Sequence, residues 1–383
     1  MKIIKQFIIY LIFLFYSSTQ IVYAQKELDG PYYVGYQLLE FEDQSRKDLI
    51  DQSKNRKISI IVYYPTLNKA KTKDNYIKNK LLIQAMVDQN YLQLNQTEIK
   101  KLIDLKRNGL LNAKIKKGHY PLILFSHGVG ISKFNYSFLM EDLASNGNIV
   151  IGIDHPYGGF TSFENGDLAT NKMDQELMKG EHSYYLEIIK QWTYDTQFIL
   201  NEVLSKNNAF SLFINKDKII HIGHSLGGNT AIYSSYCDNR IKGAINLDGG
   251  LFDQEHPSAY TKNILIMRSQ PDYSEEELIA KDRDPKVWIQ MGLDIDSSFA
   301  KAMSLAKNAF EIKIKGAGHL SFSDTPFIFP ETITKFGGNI IEANKAYRII
   351  LSAINHFIKN TWSNQPMNFQ FLNSLKEVQI KQY

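Results

Sequence analysis

Residues Gly223-His224-Ser225-Leu226-Gly227, followed by Gly228, set a serine between glycines. A serine hydroxyl is a poor nucleophile alone, so it needs a base to take its proton and an acid to orient that base. The motif arises by chance in many chains, and its context decides. Upstream, "KIIHIGH" (218–224) is a short apolar run of strand character. Downstream, "SLGGNTAIYSSYC" (225–237) has a helical pattern. Strand, tight turn and helix are what a nucleophile elbow requires. At the helix start, backbone N–H groups and the positive dipole end face developing negative charge. The Leu226 N–H is therefore predicted as one oxyanion donor. A second is predicted from "SHGVG" (126–130), where glycines after a strand let the backbone approach a substrate, and it is assigned to the Val129 N–H.

Nine histidines are available as the base. Only His319, in "KGAGHLSFSD" (315–324), follows the last predicted strand in a glycine-flanked loop. Chain order serine, acid, histidine fits that position. His356 lies in the helical pattern "AINHFIKN". His119, His182 and His256 fall in loops without the needed position. His127 and His155 follow strands and read as hydrogen-bonded loop histidines. Two acids remain open. Asp248 closes a strand in "NLDGG", and Asp272 follows the next strand in "SQPDYS", the commoner place for a hydrolase acid. His221 and His224, three apart, would suit a metal pair on a helix. On a strand they face opposite sides, and no carboxylate or thiol cluster accompanies them. No metal and no cofactor are expected, and no carboxylate-rich loop suits calcium.

These residues need elements to hold them. "YPLILFSHG" (120–128), "NIVIGIDH" (148–155), "KIIHIGH" (218–224), "KGAINLDGG" (242–250), "KNILIMRS" (262–269) and "AFEIKIKG" (309–316) read as strands, most of them as continuous apolar runs buried on both faces. "PYYVGYQLLEF" (31–41) and "KISIIVYYP" (57–65) read as entry strands. Helical patterns fall at 134–146, 183–206, 225–238 and 337–360. The alternation implies an α/β chain with a mainly parallel central sheet and helices on both faces.

Two stretches break the alternation. Residues 66–118 carry twelve Lys/Arg against four Asp/Glu, with apolar Leu81, Leu82, Ile83, Met86, Leu102 and Ile103 among them. They read as a helical insertion, solvated or acting as a cap or lipid-facing surface. Residues 157–185 mix glycines with aromatics after a strand end and read as an active-site rim.

The chain opens with a basic n-region, the ten-residue apolar run "FIIYLIFLFY" (7–16) and a small residue at Ala24. The run is short of the roughly 20 residues of a spanning helix. The expectation is a cleaved signal peptide over 1–24, then one exported domain over 25–383, secreted or periplasmic. Net charge is +4 overall, and removing Lys2 and Lys5 leaves +2, which argues against a nucleic-acid partner. The single Cys237 excludes an intrachain disulfide and is expected to pack as a small hydrophobe.

Assembled in order, these segments resemble the platelet-activating factor acetylhydrolase family, form II, with its bacterial secreted ester hydrolases. The similarity is carried by "YPLILFSHGVG", "FLMEDLASNGNIVIGIDH", "GHSLGG", "INLDGGLF" and "KGAGHLSFSD", and by the entry strands from Gly30. The resemblance implies an α/β-hydrolase fold with a cap or insertion. It favours Asp248 over Asp272 and so a triad Ser225–His319–Asp248. It implies a serine esterase acting on short acyl esters, as at the sn-2 position of acetylated phospholipids, without calcium. The partner is then a small-molecule or lipid ester, with transient contact to a lipid surface. Residues 66–118 and 157–185 depart from the plasma enzyme's pattern, which leaves a general carboxylesterase, polyester or deacetylating hydrolase as the alternative. A binding protein on the same fold would be expected to lose a triad member, and this chain keeps all three.

Overall fold

A computed structural model describes residues 27–173, 184–250, 260–270, 274–280, 284–304, 306–333, 341–363 and 366–383. Its strands are β1 (Tyr33–Lys47), β2 (Asn55–Thr66), β3 (Leu110–Leu111), β4 (Tyr120–Ser126), β5 (Ile149–Ile153), β6 (Thr161–Ser162), β7 (Leu168–Ala169), β8 (Ile214–His224), β9 (Ile241–Leu247), β10 (Tyr260–Gln270), β11 (Ala306–Lys315) and β12 (Val378–Gln382). Ten of them form one sheet in the order β12-β11-β10-β9-β8-β4-β5-β2-β1-β3. From β5 through β4, β8, β9 and β10 to β11 every pairing is parallel. β1 and β2 join antiparallel at one side, and β12 pairs antiparallel with β11 at the other.

The parallel strands are covered on both faces, and the sequence shows why. In β4, Ile123 and Phe125 belong to one apolar cluster while Leu122 and Leu124 belong to another. Alternate residues of a strand face opposite sides, so a run buried on both is apolar throughout. The first face is covered by the helices Ser137–Ser145 and Ala343–Thr361, which contribute Leu139, Leu143, Ile350 and Phe357 to its cluster. The second is covered by the helix Tyr184–Leu204, through Ile199, Leu200 and Val203. The predicted helix at 134–146 begins as a tighter turn, Lys133–Tyr136, before the α-helix. The predicted helix at 337–360 begins at Ala343, with 334–340 outside the described residues.

The insertion 66–118 is not merely solvated. Leu82, Ile83, Met86, Tyr91 and Leu102 join the first-face cluster, while Leu81 and Ile103 stay exposed. Its helices Lys80–Asp88 and Gln96–Asp104 start at Asn79 and Asn95, whose side chains accept N–H groups of the first turn. Cys237 departs from expectation. It ends the helix Leu226–Cys237 on the exposed side, since the buried face of that helix is taken by Ala231, Ile232, Ser234 and Ser235. Among the described residues no helix is long and apolar enough to cross a membrane.

Candidate active site

Ser225 stands between the end of β8 and the start of the helix Leu226–Cys237, with φ 55° and ψ −124°. A non-glycine residue with positive φ is strained, and the surroundings must hold it. The Ser225 N–H bonds the Leu247 carbonyl at 2.9 Å, and its own carbonyl accepts from Gly228 at 2.9 Å. The flanking glycines are demanded by space. A Cβ on Gly223 would lie 2.0 Å from the Gly227 oxygen, and one on Gly227 would lie 2.3 Å from the Ser126 oxygen. The sharp turn thus lifts the hydroxyl to the carboxyl edge of the sheet. Ser225 and His319 line one cleft of about 550 Å³ there.

His319 begins a short turn after β11. Its Nδ1 lies 2.7 Å from Asp248 Oδ2. Asp248 follows β9, again with positive φ, 56°. Its carboxylate also accepts from the Ser269 N–H at 2.7 Å and the Ser269 hydroxyl at 2.8 Å. Burial works against its charge, but the His319 ring and the Ser269 donors hold its pKa below the usual carboxylate value. The turn that carries it is braced by Asn246, whose side chain bonds both the N–H and the carbonyl of Gly249. The rival acid Asp272 lies outside the described residues. With Nδ1–H committed to Asp248, Nε2 of His319 is left as the basic atom.

The two groups expected to serve as oxyanion donors are backbone amides. Leu226 is the first residue of its helix, and the first N–H groups of a helix have no partner within it. Val129 lines the cleft. The carbonyl preceding it, that of Gly128, is taken by His127 Nδ1 at 2.7 Å. In a trans peptide the C=O and the following N–H point opposite ways, so the Val129 N–H is directed away from His127. Burial pushes the His127 pKa down to about 4, which keeps it neutral. It carries its proton on Nδ1, because Nε2 accepts the His155 N–H at 3.0 Å. The sequence marked His127 as a loop histidine and missed this orienting contact. The signal was its place one residue before the glycine that turns the loop.

Of the other histidines described, His224 alone lines the cleft. His356 packs against Phe369 and Phe371. His119 is exposed, and His182 and His256 lie outside the described residues. His221 bonds Ser126 and Ser234, while His224 bonds Tyr136 and the His319 carbonyl, so the two share no site. Among the described residues no group of three or more His, Cys, Asp or Glu side chains is placed to hold a metal ion.

A second serine, histidine and aspartate meet under the sheet edge. Ser126 Oγ lies 2.9 Å from His155 Nε2, and His155 Nδ1 lies 3.0 Å from Asp195 Oδ2. All three are fully buried. Asp195 is clamped by Arg56 at 2.6 and 2.7 Å and by Arg46 at 2.8 Å. The His155 ring stacks on Trp192 at 4.4 Å. This trio has the bonding order of a triad and no access for a substrate. Access separates it from the trio at Ser225.

The sheet, its helices and the elbow define an α/β-hydrolase. The chain belongs to the platelet-activating factor acetylhydrolase family, isoform II, which it matches over residues 17–158 and 179–381. A probable 1-alkyl-2-acetylglycerophosphocholine esterase of Arthroderma benhamiae is 27% identical over 248 residues, 62% of this chain and 61% of that one. The platelet-activating factor acetylhydrolase of Bos taurus is 32% identical over 167 residues, 37% of this chain and 38% of its own. The matches thus span about three fifths or less of these relatives. A ferulic acid esterase structure from Streptomyces cinnamoneus shares the fold, with TM-score 0.76, 21% identity and coverage of 92% of this chain and 98% of that one.

Proposed function

We propose that the chain is a serine esterase that hydrolyses short acyl esters of the platelet-activating factor type, without calcium. The observation that carries this is the 2.7 Å contact of His319 with Asp248 in the cleft that Ser225 lines. Ser225 Oγ attacks the ester carbonyl as His319 Nε2 takes its proton. The amides of Val129 and Leu226 receive the oxyanion. The leaving alcohol departs with the proton, and His319 then activates water to release the acid and restore Ser225. Asp248 keeps the His319 proton on Nδ1 and balances the imidazolium.

Export is part of the reading and rests on the basic and apolar opening of the chain, over residues 1–24. A second reading is a carboxylesterase for uncharged esters. The cleft wall favours it: Gln89, Asn90, Gln93 and Asn171 line it, and no Lys, Arg, Asp or Glu does among the described residues. A panel of esters tests both, graded by acyl length and offered on glycerophosphocholine and on uncharged alcohols. Hydrolysis should be fastest for acetyl and fall with chain length. Preference for the uncharged alcohols selects the second reading. Activity that EDTA abolishes and calcium restores would overturn the serine mechanism.

A further inference from the structure

His224, beside the nucleophile, is 1% exposed at the cleft wall and bonded at both nitrogens. Nδ1 lies 2.7 Å from the Tyr136 hydroxyl, and Nε2 lies 2.9 Å from the carbonyl oxygen of His319. The Tyr136 hydroxyl also receives the Gly128 N–H at 3.0 Å. For a neutral ring only one arrangement of protons satisfies these contacts. A carbonyl can only accept, so His224 carries its proton on Nε2. Its Nδ1 is then an acceptor, and the Tyr136 hydroxyl must donate to it. The Tyr136 oxygen in turn accepts from Gly128. Burial, with His319 as the next cause, pushes the His224 pKa down to about 3, so the ring stays neutral.

The chain of bonds joins three parts of the site that are remote in sequence. Gly128 precedes Val129 in the oxyanion loop, His224 precedes Ser225 at the elbow, and His319 ends the path. The parts are in close contact. A Cβ on Gly128 would lie 3.0 Å from His224 Nδ1 and 3.1 Å from Ser225 Cβ. The His224 and His319 rings are 4.5 Å apart. The Tyr136 ring is seated against Phe125, 4.7 Å away, at the end of β4.

We propose that Tyr136 and His224 are positioning residues, a one-way hydrogen-bond relay that sets the oxyanion loop and the His319 backbone at fixed places about Ser225. Neither touches the reacting atoms. Tyr136 fixes the N–H side of the Gly128 residue whose carbonyl His127 holds, so the Val129 amide is preset. His224 fixes the main chain that presents the His319 ring. The proposal rests on the serine-esterase reading for its effect on rate, but the relay itself is a statement about protons that needs no substrate.

The test has two arms. In the first, the wild type, Tyr136→Phe, His224→Phe, His224→Gln and the Tyr136→Phe/His224→Phe pair are assayed on p-nitrophenyl acetate well below their Tm. Tyr136→Phe and His224→Phe should each lower kcat about 10- to 100-fold, as a misplacement of about 1 Å can, with little change in KM. The pair should be no worse than the weaker single variant, because one relay is cut twice. His224→Gln should recover much of the loss, since its amide N–H can reach the His319 carbonyl. Additive losses, or a kcat that stays at the wild-type level in either single variant, would overturn the proposal. In the second arm, nitrogen-15 NMR of the wild type reads the His224 tautomer. A proton on Nε2 is expected, and a proton on Nδ1 would overturn the relay whether or not the variants fold. If the wild type hydrolyses no ester while the Nε2 proton is found, the esterase reading fails and the relay stands.

Discussion

Asp248 and His319, 71 positions apart, meet at 2.7 Å between Oδ2 and Nδ1. The contact exists because β9 and β11 flank β10, whose Ser269 holds the same carboxylate from the other side. The carboxylate that meets His319 therefore sits one strand after the elbow, and we propose it as the acid. Asp248→Asn should drop kcat by about 10⁴, the size seen for the altered aspartate of a serine protease triad. Asp272→Asn should cost under roughly tenfold in rate and about 1 kcal/mol of stability, the usual size of a single substitution. The reverse ranking, measured on folded protein with one ester, would move the acid to the later strand.

Ser225→Ala and Ser126→Ala separate the two trios. The first should abolish ester hydrolysis and labelling by a fluorophosphonate, with the Tm nearly unchanged. The second removes a hydroxyl wedged between His155 and His221, each at 2.9 Å. A buried group left without its partner costs about 1–3 kcal/mol. Ser126→Ala should therefore melt at a lower temperature while kcat stays within about threefold. Fluorophosphonate labelling that persists in Ser225→Ala would place the nucleophile elsewhere.

The parallel strands were legible because burial on both faces leaves an unbroken apolar run, as in Leu122–Phe125. The elbow was legible because its glycines are forced by the close approach of Ser126 and Gly227. What stayed hidden depends on register and on distant partners. Nothing local in "SQPDYS" or "NLDGG" tells which aspartate will face His319. That follows from Leu247 pairing with Met267 across two parallel strands, which brings Ser269 to Asp248. Tyr136 and His224 are 88 positions apart, so their bond has no sequence signature. β12 was missed because its residues are mostly exposed and polar and pair only along one edge. The helix Pro285–Met303 was also missed, although Asp284 caps it and Pro285 opens it as the usual start signals would have it.

Gly227→Ala and Gly166→Ala distinguish two reasons for glycine. A Cβ at Gly227 would lie 2.3 Å from the Ser126 oxygen and 2.4 Å from the His127 oxygen, both main chain. Those residues lead into the oxyanion loop, so relief must move it. The variant should lose about 1–3 kcal/mol, the usual cost of overpacking, and most of its kcat. At Gly166 nothing lies within 4 Å, but φ is +89°. Alanine there should cost about 1 kcal/mol through backbone strain alone, with kcat unchanged. Equal kcat in both variants would show that the elbow glycine is not needed for close approach.

Four buried histidines make the fold sensitive to acid. Burial is the leading cause that lowers the pKa of His127 to about 4 and those of His221 and His224 to about 3, and it lowers that of His155 as well. In the unfolded chain these rings titrate near the ordinary value of 6.5. Between that value and the depressed ones, the unfolded state binds protons that the native state refuses. Stability therefore rises with pH across this window, is full above about pH 6.5, and is lost as pH falls toward 4 and below. Each group contributes a slope of up to about 1.4 kcal/mol per pH unit. The lowered pKa values of Asp248 and Asp195 act in the same sense, but only once pH falls below their ordinary 3.8. The Tm should thus be level from about pH 7 to 8 and drop steeply between 6 and 4, before most carboxylates protonate. Replacing His221 by asparagine, which does not titrate, should flatten that drop even if it lowers the Tm at neutral pH. A Tm constant from pH 7 to 4.5, with no proton uptake on unfolding at pH 5.5, would show that these rings are not held neutral.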